Sequence, residues 1–301
     1  MPSLRKPRYS RYLAAPLSAA TCMLLVSGCS SSPDSGVDTE TFDSKAPQSW
    51  VLPIQAYLPT DQEQAQLSQA KKILVSDCMK EFGFNWTPAP DLPRIGPKTL
   101  TDWRYGIHEM ALAKERGYKP DAKEQEVYDE AVKRGAVDGA TADGPETKAL
   151  NGGIDEVEGK KVPKDGCVGS ANREIDVETL QARTALGLAN AAFLEAKEDS
   201  GVVKAFASWS ACMKRSGYDY KQPLDASDDT KFQAPEVSPE EVATATADIT
   251  CRQKTDVAWI WFQAEAALQK SAIDAHAEEL SAEGKRIDAA VRNASKIVKG
   301  E

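Results

Sequence analysis

Cys78-Met79-Lys80-Glu81-Phe82-Gly83-Phe84 and Cys212-Met213-Lys214-Arg215-Ser216-Gly217-Tyr218 are two copies of one signal, and their reading decides the fold. In each copy the glycine suits the left-handed position just past a helix end, where a β-carbon is costly. The aromatic that follows packs on the residue five places earlier, Met79 under Phe84 and Met213 under Tyr218. Lys80, Lys214 and Arg215 fall in the last turn, where the helix dipole favours positive charge. Lys114-Glu115-Arg116-Gly117-Tyr118 is a partial third copy, with the stop but no cysteine. The repeat reads as a helix stop beside a disulfide. A binding signature is the weaker alternative, because each residue already has a capping role.

Working outward, Thr60-Asp61-Gln62-Glu63 is a capping box, and Leu67, Ala70, Leu74 and Cys78 recur on one face of the helix it starts. A helix is expected from about Asn172 to Lys197, with Ile175, Ala182, Leu186, Ala189, Phe193 and Ala196 at three- and four-residue steps. Another follows Ser200-Gly201 and carries Val202, Phe206, Trp209 and Met213. Ser238-Pro239-Glu240-Glu241 opens a last helix with a capping serine, a first-turn proline and a glutamate three residues on. No proline follows it. Ile273, Ala277, Leu280, Gly284, Ile287, Val291, Ala294 and Val298 keep the a/d spacing of a coiled coil. A straight helix over 239–299 would run roughly 90 Å at 1.5 Å per residue. A compact body of this size is only roughly 50 Å across. The expectation is a bend, with Gly284 the weakest point, and a seam covered by another helix of the same chain.

Three stretches lack helical signals. Trp50 to Leu58 is apolar and proline-bearing, and is expected to lie extended across the surface. Residues 135–166, dense in Gly, Asp and Lys, read as a long loop whose far end Cys167 pins. Residues 219–237 are polar and also read as loop.

The N-terminus says where such a body would sit. Arg5, Lys6, Arg8 and Arg11 precede an apolar run from Leu13 to Val26, and Val26-Ser27-Gly28-Cys29 then has the form of a bacterial lipoprotein cleavage site. That run is too short to span roughly 30 Å of hydrocarbon. Residues 1–28 are therefore read as a signal peptide, Cys29 as the site of lipid attachment with palmitate-type chains, and 29–49, rich in Ser, Asp, Thr and Pro, as a flexible tether. Cleavage would remove four basic and no acidic residues, leaving 33 basic against 46 acidic side chains and a formal charge of −13. Such a surface repels nucleic acid and anionic lipid headgroups alike. The acyl chains must supply the membrane attachment, and three of them exceed the two-signal threshold for stable anchoring. The expected location is the extracytoplasmic face of the cell membrane.

Cys22 leaves with the signal, so Cys78, Cys167, Cys212 and Cys251 remain, an even number in an oxidising compartment. They allow three connectivities. Pairing within repeats gives Cys78–Cys167 and Cys212–Cys251; crossed pairing is the alternative. No two lie close enough for a zinc knuckle, and no Cys-x-x-Cys occurs.

Chemistry-bearing motifs are scarce. There is no Gly-x-Ser-x-Gly elbow, no P-loop and no dinucleotide fingerprint, and no cofactor is implied. His108-Glu109-Met110-Ala111-Leu112 starts like a zinc-protease helix, but Leu112 stands where the second histidine must coordinate, so that metal site fails. His276 reads as a solvated surface residue. Asp225, Asp228 and Asp229 lack the spacing of a calcium hand. Trp259, Trp261 and Phe262 form the densest aromatic cluster, a candidate partner surface whose alternative is burial under neighbouring helices.

The lipobox, the Leu52–Leu58 segment, both Cys-Met-x-x-x-Gly-aromatic copies and the stretch from Val162-Pro163 to Cys167 together resemble a group of lipoproteins from Streptomyces-type actinobacteria. The likeness covers most of the mature chain, least in 119–150, and implies an exported, membrane-tethered protein without assigning it an activity. The expected fold is all-α: a disulfide-stapled helical ectodomain with long irregular loops, a first unit over 50–170, a second over 171–301, and a long C-terminal helix. The leading functional expectation is a non-catalytic binding or scaffolding lipoprotein of the cell envelope, with an envelope protein as partner. A carboxylate-dependent cell-wall hydrolase and an accessory subunit of an envelope transporter are the alternatives.

Overall fold

Thr60 starts α1 (Asp61–Glu81) by the reciprocal device its sequence announces: its Oγ1 accepts the Glu63 N–H at 3.2 Å, while the Glu63 carboxylate accepts the Thr60 N–H at 2.8 Å. The computed structural model describes residues 45–135, 144–176 and 180–300. Cys29, the signal segment 1–28 and most of the tether lie outside the described residues. Next come α2 (Met110–Arg116), α3 (Ala122–Lys133), α4 (Pro145–Asn151), a two-stranded antiparallel hairpin of β1 (Glu156–Val157) and β2 (Lys160–Lys161), and α5 (Gly166–Glu174). The second half is α6 (Arg183–Ala196), α7 (Ser200–Arg215), α8 (Pro223–Ser227), α9 (Pro239–Thr255), α10 (Val257–Ala275) and α11 (Ala277–Lys299). The fold is all-α, and no described helix is long and apolar enough to cross a membrane.

Both full copies of the repeated stop close as read. Gly83 (φ +80°) and Gly217 (φ +92°) are left-handed. The Phe84 N–H reaches the Met79 carbonyl at 3.1 Å, and the Tyr218 N–H reaches the Met213 carbonyl at 3.0 Å. The third copy differs. Gly117 ends α2 with a positive φ, but the Tyr118 N–H goes to the Glu241 carboxylate instead, at 3.1 Å.

The cysteines pair within repeats: Cys78–Cys167 ties α1 to α5 and Cys212–Cys251 ties α7 to α9, with Cα separations of 5.7 and 5.6 Å. The closed loops, spanning 89 and 39 residues of sequence, correspond to about 4 kcal/mol apiece in the chain-entropy account.

Several expectations need correction. Trp50–Leu58 does not lie extended on the surface. Pro53–Tyr57 winds into a 3-10 turn, and Trp50, Leu52 and Ile54 are buried in the main core, because an apolar segment this dense gains more inside than out. The expected loop 135–166 holds α4 and the hairpin, whose Ala149, Leu150, Val157 and Val162 pack on Val75, Met79 and Phe82 of α1 and its end. The polar 219–237 segment likewise contains α8 and a 3-10 turn over Thr230–Phe232.

The stretch expected as one helix over 172–197 is interrupted: among the described residues α5 ends at Glu174 and α6 begins at Arg183, with Ala182 left-handed at φ +45°. Ala182 has no side-chain oxygen to cap that start. Glu283 of α11 supplies the cap from a distance, accepting the N–H groups of Thr184 (2.9 Å) and Ala185 (3.0 Å). A buried carboxylate at a helix N-terminus satisfies orphan donors and meets the positive end of the dipole.

The long C-terminal helix breaks twice, and neither break is at Gly284. Asp256 is left-handed (φ +49°) between α9 and α10, and His276 (φ −114°, ψ 24°) separates α10 from α11. Gly284 sits inside α11 in open space. The breaks let α11 fold back, so that Val291, Ala294, Ile297 and Val298 pack with Leu67, Ala70 and Leu74 of α1. The seam is covered by the chain's own helix, and the 50–170 and 171–301 stretches meet along it.

Two glycine replacements separate backbone cost from steric cost. At Gly217 a β-carbon would meet nothing, so Gly217→Ala costs only the left-handed penalty, about 1–2 kcal/mol. At Gly106 (φ +104°) the same methyl would overlap the Arg252 guanidinium, so Gly106→Ala destabilises by clearly more. Urea unfolding of the two variants checks the order.

Candidate functional site

Thr101-Asp102-Trp103-Arg104-Tyr105-Gly106 forms a tight turn held against α9 and α10, and four of its six residues are buried. Trp103 holds φ +58°, a costly conformation for a bulky side chain. Two charged networks fix the turn in place. On one side, Arg104 makes a bidentate pair with Glu265 of α10, through Nη2 to Oε1 at 2.8 Å and Nε to Oε2 at 3.0 Å. The Tyr105 hydroxyl donates to the same carboxylate at 2.8 Å. Gln269 donates to it at 2.7 Å and accepts the Ile54 N–H at 3.1 Å, which ties in the 3-10 turn.

On the other side, Arg252 of α9 donates to the Tyr105 carbonyl, to the Pro223 carbonyl at 2.7 Å and to Asp248 at 2.7 Å. Asp248 also accepts from Trp209 Nε1 at 2.9 Å and from the Tyr118 hydroxyl at 3.3 Å. Burial pushes the Asp248 carboxyl up, against the pull of Arg252 and of both donors. Glu241, the glutamate expected to complete a capping box, instead points inward: it is 1 % exposed and accepts Lys119 Nζ at 2.9 Å. Ser238 alone caps α9, through its Oγ and the Glu241 N–H at 3.0 Å.

Glu241, Asp248, Glu265 and Glu283 are thus all fully engaged inside the protein. A carboxylate consumed by two or three internal donors is a poor candidate for acid–base work on an external molecule.

The turn also presents one cluster to solvent. Asp102 is nearly buried, and its Oδ2 accepts the Lys98 N–H at 2.7 Å. Its Oδ1 stands 2.7 Å from His108 Nε2. Glu109 follows at the start of α2, exposed. Together Asp102, Trp103, Glu109, Leu112, Glu115 and Glu124 line part of a cleft of about 370 Å³. Leu112 contributes only an apolar wall, as its chemistry requires. The Glu109 and Glu115 carboxylates make no hydrogen bond or ion pair with other described residues. A larger cleft of about 510 Å³ runs past Arg116, Lys119 and Phe232, but Lys119 is spent on Glu241 and the Phe232 carbonyl, and Arg116 donates to the Pro120 carbonyl. Size favours that cleft; convergence of free polar groups favours the smaller one, and convergence is what recognition needs.

The aromatic candidates fall elsewhere. Trp261 and Phe262 are core residues, 1 % and 8 % exposed, which is the burial alternative rather than a surface. Trp261 stacks on Phe193 at 4.8 Å, and Trp259, half-buried, stacks on Phe262 at 5.1 Å with Trp50 against its edge. His276 pairs with Glu279 on the surface. Asp225 and Asp229 act locally, Asp225 accepting the Gln222 N–H at 2.9 Å and Asp229 the Tyr220 hydroxyl at 2.8 Å. Of this group, His108 and Glu109 drew notice in the sequence; Asp102 carried no signal, because a six-residue reach through a strained turn has no sequence pattern. No family model, curated protein or solved structure matches the chain.

Tyr105 and Tyr118 give this architecture an alkaline limit. Burial first, then the neighbouring Glu265 or Asp248 charge, raises both hydroxyls far above the ordinary tyrosine range. A folded pKa above the unfolded one stabilises fully below the unfolded value and is lost as pH rises past it. Stability should therefore fall above about pH 10 by about 1.4 kcal/mol per pH unit for each of the two tyrosines. Tyr118→Phe should remove one tyrosine's share of that slope, as chemical denaturation at a series of alkaline pH values would show.

Proposed function

We propose that this protein is an extracytoplasmic lipoprotein, anchored through Cys29, whose rigid helical body binds or scaffolds another component of the cell envelope. The observation that carries the reading is the pairing of Cys78–Cys167 and Cys212–Cys251, which suits an oxidising compartment, in a chain whose first residues read as a signal with a lipobox. The closed internal networks support a binding role over a carboxylate hydrolase. The acidic balance, −13 after cleavage, supports attachment by lipid rather than by surface charge. The resemblance to actinobacterial lipoproteins agrees with the same placement.

Intact-mass spectrometry of the membrane fraction tests the anchor. A polypeptide starting at Cys29 and carrying acyl chains is expected, while Cys29→Ala should abolish acylation and leave the precursor uncleaved. An unmodified wild-type chain in the culture fluid would overturn the proposal. Cross-linking on intact cells tests the binding half: discrete heteromeric adducts are expected, and their absence above control counts against a scaffold.

A further inference from the structure

We propose that Asp102, His108 and Glu109 form a binding site for a divalent transition-metal ion of the zinc type. Each offers one ligand atom, and these atoms lie within 4.8 Å of one another. The inference goes beyond the anchored-scaffold reading and does not depend on it.

Three physical arguments carry it. The donor set is one imidazole and two carboxylates, which suits zinc, cobalt, manganese or iron. Calcium would demand six to eight oxygens, which this corner does not supply. The charge around it is negative: Glu109, Glu115, Asp121 and Glu124 line the cleft, and its one lysine, Lys98, is already on Glu124 at 2.6 Å. Finally, the site is held in place before any ion arrives. The Lys98 N–H and the locked Thr101–Gly106 turn fix Asp102, and Asp102 in turn fixes the His108 ring at 2.7 Å.

Binding needs small movements only. Ligand atoms around tetrahedral zinc stand about 3.3 Å apart, given metal–ligand bonds of about 2.0–2.1 Å. The Asp102–His108 pair must therefore open by about 0.6 Å, and Glu109, an exposed side chain, must swing inward. Coordination through Nε2 takes the nitrogen that now faces Asp102, so the His108–Asp102 hydrogen bond gives way to the two metal–ligand bonds. Three protein ligands leave a fourth position for water or for a donor from another molecule.

The test uses the full chain, without a polyhistidine tag and stripped with EDTA, titrated with Zn2+ by calorimetry and with Co2+ by visible absorption. One saturable equivalent of each is expected, with Co2+ d–d bands, while Mg2+ and Ca2+ at the same concentration fail to displace it. Glu109→Gln alters an exposed side chain and should keep the melting temperature while weakening binding at least tenfold. His108→Ala should abolish it, and His276→Ala should leave it unchanged. Absence of saturable binding, binding indifferent to Glu109→Gln and His108→Ala, loss with His276→Ala, or displacement by Ca2+ would each overturn the site.

Discussion

The fold turns on the burial of charge around one short turn. Thr101–Gly106 carries Tyr105 into the main core, and Glu265 and Arg252 clasp the turn there from α10 and α9. Buried ions are costly unless every donor and acceptor is met, and removing one partner leaves its mate stranded at about 3–5 kcal/mol. Here the accounting closes. Arg104 and Tyr105 share Glu265, Arg252 bridges Asp248, the Tyr105 carbonyl and the Pro223 carbonyl, and Gly106 leaves room for the guanidinium. The result fixes the relative placement of α8, α9, α10 and the Trp50–Tyr57 segment through polar contacts whose geometry is specific, where apolar packing alone tolerates sliding.

The same clamp sets what the surface can offer. Asp102 and Trp103 emerge from the turn in orientations that only its backbone provides, and His108 is aimed by Asp102. A strained residue such as Trp103 persists where surrounding structure over-determines it, and such places cluster at functional sites. The two disulfides act at the other scale. Cys78–Cys167 holds the α4–hairpin–α5 layer on α1, Cys212–Cys251 holds α7 on α9, and α11 closes the body by lying on α1.

The sequence made the local devices legible and hid the distant ones. The Thr60–Glu63 box, the glycines at 83 and 217, and the cysteine pairing all rest on contacts within a few residues or on a repeat that can be matched by eye. The breaks at Asp256 and His276 had no glycine or proline to mark them; an aspartate tolerates the left-handed region at modest cost. Gly284 looked like the hinge because propensity favoured it, but nothing in the packing asks the chain to bend there. Glu241 read as the second half of a capping box and Glu283 carried no signal; both are internal partners, for Tyr118–Lys119 and for the start of α6. Trp50–Tyr57 was legible as apolar and not as buried, since its cover comes from α6 and α10, more than a hundred residues away. Beside the cleft, His108 and Glu109 stood out as residue types, whereas Asp102 became a partner only once the turn was folded.

The account stands on the Thr101–Gly106 turn being locked into the global fold and not merely resting on it. Native-state hydrogen exchange of the Arg104 and Gly106 amides, which bond to the Thr101 and Trp103 carbonyls, measures this directly. Exchange only through global unfolding, with the same denaturant dependence as core amides of α9 and α10, is the predicted result. Exchange through a low-energy, denaturant-independent local opening would contradict it.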